Sequence, residues 1–144
     1  MSKATLEKLN QILEKLRWIQ PDVYSLPVNS VEMKSGIHFV PVREIAYISS
    51  DVEEGLSFNL KYQMANGSIF YSNHRLSQIE KKLKDDPRFM RSQKSYIINF
   101  EWIRRMEYSS ARDLWFSDFS DPVINCVSLK KLDEFKARFE DSMK

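Results

Sequence analysis

The sequence predicts a mostly β domain of the α+β class, antiparallel and carrying short helices, preceded by an amphipathic N-terminal helix. Three observations carry that reading. Apolar residues between positions 6 and 19 recur at helical spacing. Those between 37 and 71 recur largely every second residue. Strand-like segments then follow one another in groups instead of alternating with helices, which favours antiparallel pairing. The 144 residues suffice for one domain with a short extension.

The expected boundaries are a helix over 1–20, a linker over 21–32 and a folded domain over 33–144. In the first helix Leu6, Leu9, Leu13 and Leu16 follow a 3-4-3 spacing, with Ile12 and Ile19 widening the stripe. Ser2 or Thr5 can cap it and Pro21 marks its end. Lys3, Glu7, Lys8, Glu14, Lys15 and Arg17 form the other face. Two uses of the stripe stay open: packing on the domain, or pairing with a second copy as a short coiled-coil seam that makes a homodimer. Pro21 and Pro27, with no clear period around them, mark the linker.

Within the domain, Ile37–Val42 and Ile45–Ile48 read as short strands, with Pro41 at an end or an edge. An acidic loop follows at 51–55. Leu56, Phe58, Leu60, Tyr62 and Met64 alternate with polar residues, a half-buried strand. Asn66-Gly67 signals a two-residue hairpin turn, returning through Ser68–Tyr71. Asn73 can cap a helix over 74–84, which Asp85-Asp86-Pro87 stops. Phe89–Ser95, Tyr96–Ile98, Trp102–Tyr108, Leu114–Phe116 and Val123–Val127 read as further strand-like stretches. Ser128 is suited to cap a last helix over Leu129–Ser142, with Leu132, Phe135 and Phe139 on one face.

Composition excludes more than it identifies. No apolar run reaches the roughly 20 residues of a membrane helix, and the N-terminus lacks an apolar signal core. A cytoplasmic protein is expected, without membrane contact. With one cysteine, Cys126, no intramolecular disulfide forms. Its apolar neighbours point to a buried packing residue. Three glycines and no Gly-rich phosphate loop or nucleophile elbow argue against an enzyme. His38 and His74 are too separated to suggest a metal site, and His38 alternates with apolar residues as a solvent-face residue would. No cofactor, metal or catalytic residue is expected.

The net charge of +2 says little, but its distribution says more. From His74 to Arg105 nine Lys/Arg stand against four Asp/Glu, a local net of +5 that leaves −3 for the rest. Such asymmetry suits a polyanion-facing surface.

The run Phe89-Met90-Arg91-Ser92-Gln93-Lys94-Ser95-Tyr96-Ile97-Ile98-Asn99 resembles the signature of LytTR-type DNA-binding domains. Ile45–Ser50 resembles that family's second strand. The turn at Asn66-Gly67 and the helix Arg75–Leu83 stand where the family has them, as do Ile103 and the pair Val127-Ser128. The resemblance spans about Met33 to Phe139. It implies a transcription regulator that binds double-stranded promoter DNA at short direct repeats, places loops in successive major grooves and bends the duplex.

On that resemblance Arg91, Gln93, Lys94 and Ser95 belong to the recognition loop, with a structural ion pair as the other reading of Arg91. Lys94 is suited to a guanine edge or a phosphate, Gln93 to an adenine edge and Ser95 to a phosphate. Lys130 and Lys131 open the last helix where arginines are common, and lysine lacks the arginine fork. Glu54 lies in the loop where family members present a base-contacting residue, and Arg75 joins the set from the basic window. The acidic loop opposes phosphate approach. It supports an alternative reading, a protein-interaction module that regulates a protein partner without binding DNA. About 30 residues ahead of the domain cannot hold a phosphoacceptor receiver domain, so a stand-alone domain is expected.

Overall fold

A computed structural model of the chain describes residues 2–19, 25–30, 36–107, 112–117 and 121–142, and of residues 12–19 and 142 the backbone alone. The expected helix end at Pro21, half of the linker and the strand end at Tyr108 lie outside these residues.

Helix α1 spans Lys3–Ile19. Ser2 caps it: its hydroxyl oxygen accepts from the Thr5 N–H at 3.2 Å, satisfying a donor that the first turn leaves open. Residues 2–11 are exposed throughout, including Leu6 at 49% and Leu9 at 44%.

The domain is built on a five-stranded antiparallel sheet, ordered β5-β4-β3-β7-β6. Its strands are β3 (Ile45–Ser49), β4 (Leu60–Met64), β5 (Ile69–Ser72), β6 (Phe89–Gln93) and β7 (Tyr96–Asn99). Two-stranded ribbons flank it: β1 (Ser25–Val28) with β2 (His38–Pro41), and β8 (Ile103–Met106) with β9 (Leu114–Phe116). Helices α2 (Leu76–Lys82) and α3 (Leu132–Ser142) complete the fold.

Both faces of the sheet are covered, which explains why central strand β3 is buried along its whole length. On one face Ile45, Ile48, Leu60, Tyr62 and Ile97 pack with Leu26, Val28 and Val40 of the first ribbon and Leu76 and Ile79 of α2. On the other, Ala46, Tyr47, Met90 and Ile98 pack with Ile103, Leu114 and Phe116 of the second ribbon and Phe135 of α3. A bulge between Ile45 and Tyr47 lets two successive residues, Ala46 and Tyr47, serve the second core. Buried Asn99 joins the layers: its Nδ2 donates to the Ile45 carbonyl at 2.8 Å and its Oδ1 accepts from the Glu101 N–H at 2.9 Å. Both ends of the amide are thus satisfied inside the protein.

Several local expectations are corrected. The stretch expected to be a linker contains β1, which pairs with β2 over four residues and buries Leu26 and Val28. The strand expected from Leu56 starts only at Leu60. Residues 51–59 instead fold over the sheet, with Phe58 stacked on Tyr71 at 5.3 Å between centroids.

The hairpin turn has three residues, Ala65-Asn66-Gly67, because the Met64 N–H donates to the Ser68 carbonyl. Asn66 Oδ1 accepts from the Ser68 N–H and Gly67 takes a φ of 96°, the left-handed position that closes such a loop. Helix α2 starts at Leu76, not His74. Its entry is held by the Gln78 side chain, which accepts from the Arg75 N–H at 2.8 Å. His38 is half-buried against Phe70, its Nε2 without a partner. Of the strand expected at 123–127 only a bridge between Leu114 and Val123 forms. The chain then turns through Asn125 at a φ of 53°. Ser128 makes no side-chain cap, and the last helix is entered through a 3-10 turn over Leu129–Lys131.

Candidate nucleic-acid interface

Strand register alone brings the candidate residues to one end of the sheet. Ser49, at the end of β3, pairs with Lys61 near the start of β4 and with Tyr96 at the start of β7. Leu60 pairs with Ser72 at the end of β5, and Gln93 at the end of β6 pairs with Tyr96. The loop 50–59 carrying Glu54, the turn at Lys94-Ser95 and the approach to Arg75 therefore share this end.

The segment leading to α3 is strapped to the same end. The Ser92 hydroxyl donates to the Cys126 carbonyl at 2.5 Å, Gln93 Nε2 donates to the Asn125 carbonyl at 2.8 Å, and the Ser128 N–H donates to the Ser92 carbonyl at 2.8 Å. Asp113 holds the Asn125 N–H at 2.9 Å. Lys130 and Lys131 are thus carried beside the β6–β7 turn.

The eight candidates divide by what their side chains already do. Lys94, Lys130, Arg75 and Glu54 are exposed. Lys131 is also exposed and lies 3.5 Å from Glu134, a surface pair that holds it weakly. Arg91 is committed inward: it pairs with Glu80 of α2 at 2.9 Å and donates to the Lys94 carbonyl at 2.7 Å. It therefore shapes the turn that presents Lys94. Gln93 is committed as well, since its Oε1 also accepts from the Ser95 N–H at 2.9 Å. The Ser95 carbonyl in turn accepts from the Ser50 N–H.

Of the three carboxylates in the acidic loop, Glu53 is neutralised. Glu53 accepts from Lys61 Nζ at 3.0 Å and from the Tyr71 hydroxyl at 3.2 Å. A backbone N–H and then Lys61 hold its carboxyl below the ordinary carboxylate range. Glu54 at the loop apex, followed by Gly55 at a φ of 88°, is left as an outward carboxylate. Cys126 is fully buried, and burial pushes its thiol up to about 12, so it stays a protonated packing residue.

Sequence reasoning missed the strap. Ser92 and Asp113 act on backbone groups 34 and 12 residues away in sequence, which no local pattern announces. It also missed Lys61 and Tyr71 as the partners of the acidic loop.

A family model for the LytTr DNA-binding domain matches residues 35–140. The chain belongs to the LytTR DNA-binding domain family. A solved LytTr DNA-binding domain from Bacillus cereus shares the fold, with a TM-score of 0.59 at 17% identity, covering 80% of this chain and 95% of that one. No curated protein matches. As a LytTR protein the chain is a DNA-binding regulator, from a family of DNA readers and not of enzymes. No helix among the described residues is long and apolar enough to cross a membrane.

Proposed function

We propose that this LytTR chain is a sequence-specific transcription regulator that reads promoter repeats through the loops at one end of its sheet, placed in the major groove. The observation that carries the reading is the presentation of Lys94, Lys130 and Lys131. All three point to solvent from backbones fixed by the Arg91, Gln93 and Ser92 hydrogen bonds. Ammonium groups on rigid supports lose little freedom when they meet phosphates or guanine edges, so more of the contact energy appears as affinity. The neutralised Glu53 removes part of the repulsion that an acidic loop would bring to a phosphate backbone. Exposed Leu6 and Leu9 on α1 favour a homodimer through that helix, because most helical stability in proteins comes from packing an amphipathic face.

The test is binding of the full chain to a pool of random-sequence duplexes, followed by anisotropy titration of an enriched duplex across salt concentrations. The expected result is enrichment of a common motif and a log-log affinity slope of about −3 or steeper, from three or more phosphates neutralised. Failure to enrich any motif, or no binding at about 50 mM salt where such contacts are strongest, overturns the reading. It would leave the protein-interaction module in its place.

A further inference from the structure

The DNA-facing end carries two apolar side chains that core packing does not use. Leu129 is 75% exposed, the highest value among the exposed large hydrophobic residues, and Ile124 is 62% exposed. Neither belongs to either core cluster. Leu132, Phe135 and Phe139 meet the needs of α3 against the sheet, so Leu129 is not a displaced core residue.

Its position is also fixed. The turn over Leu129–Lys131 hangs from the Ser128 N–H bond to Ser92. It is closed by the Lys131 N–H to the Ser128 carbonyl at 3.1 Å, and the Leu132 N–H donates to the Leu129 carbonyl. Ile124 precedes Asn125, whose carbonyl takes the Gln93 amide. Both apolar groups therefore flank cations, Lys130 and Lys131 on one side and Lys94 across the strap. The other exposed large apolar residues stand elsewhere, on α1, on or next to β2, and on β5.

A rigid, isolated isobutyl group set among ammonium groups matches one feature of duplex DNA. The thymine C5-methyl is the apolar group on the major-groove edge, and it lies among the acceptors and phosphates that lysines seek. We infer that Leu129, with Ile124 on the same strapped segment, reads thymine methyl groups and so sets part of the operator preference of this chain. The inference rests on the DNA-binding reading above and adds the base type at one position.

The experiment uses the full chain and a duplex enriched from a random pool, prepared with thymidine and again with deoxyuridine, which lacks only the methyl. The parent should bind the deoxyuridine duplex about fourfold more weakly for each thymine methyl that these side chains cover, the factor that follows from burying one methyl-sized group. Leu129→Ser, an exchange at an exposed site that leaves the core intact, should bind the two duplexes alike or nearly so. A parent that binds both duplexes equally overturns the inference while leaving DNA binding in place. A Leu129→Ser chain that still discriminates as the parent does overturns it too, since another residue would then read the methyl. If no duplex is enriched, the DNA-binding reading falls first and takes this one with it.

Discussion

Lys94 and Arg91 lie three residues apart and have opposite assignments. Lys94 points to solvent at the apex of the β6–β7 turn, whereas Arg91 spends its guanidinium on Glu80 and on the Lys94 carbonyl. Lys94→Ala should therefore weaken DNA binding by a base contact's worth, about 1–3 kcal/mol, with no change in folding. Arg91→Ala should weaken binding too, but together with a lower urea midpoint, because it loosens both the turn and the contact between α2 and the sheet. Paired anisotropy and urea titrations check this. A Lys94→Ala chain that binds like the parent would remove Lys94 from the interface. The motif that contains both residues was legible in the sequence. An ion pair at Arg91 was one of two readings open there, but its partner was not legible, because Glu80 lies eleven positions away on another element.

Elements were legible where one signal acted alone. Alternation around Leu60, Tyr62 and Met64 pointed to β4, and the Leu132, Phe135 and Phe139 spacing to α3. Ribbon strand β1 escaped because it is four residues long and carries Pro27, a residue that argues against an interior strand but is tolerated in a two-stranded ribbon. The loop over 51–59 escaped for the opposite reason. Leu56 and Phe58 continue the period of β4, yet Glu53 and Phe58 tie the segment to Lys61 and Tyr71 from above the sheet. Helix α1 is the element whose role in assembly is open to direct test. If its stripe pairs two copies, Leu6→Glu together with Leu9→Glu should halve the sedimenting mass of the full chain, because both positions are exposed in the single chain and charged groups oppose a helix seam. Equal mass for parent and variant would dismiss the pairing.

At the scale of the molecule, burial raises the titration of acidic side chains in both cores: Tyr62 in the first, Tyr47 and Cys126 in the second. The second contains Tyr47 and Cys126, whose protons burial holds up to about 12 against ordinary values of 10.0 and 9.0. Folded values raised above unfolded ones mean that the associated stability is complete below the unfolded values and is lost as pH rises toward the folded ones. The urea midpoint should therefore fall between about pH 9 and 12, with Tyr47→Phe retaining more of its stability across pH 10 to 12. A parent midpoint that stays level through that interval would contradict the buried, protonated state of both groups.

The two outer strands of the five-stranded sheet are also capped at particular positions. On β6 the Phe89 carbonyl takes a bond from Arg138 and the Ser92 carbonyl one from the Ser128 N–H. On β5, Tyr71 exchanges two backbone bonds with Asn29. An open edge would template pairing with another chain. Copies crowded together thus meet edges already bonded at these positions. Each such bond shortens the stretch of sheet edge on which a fibril could be seeded.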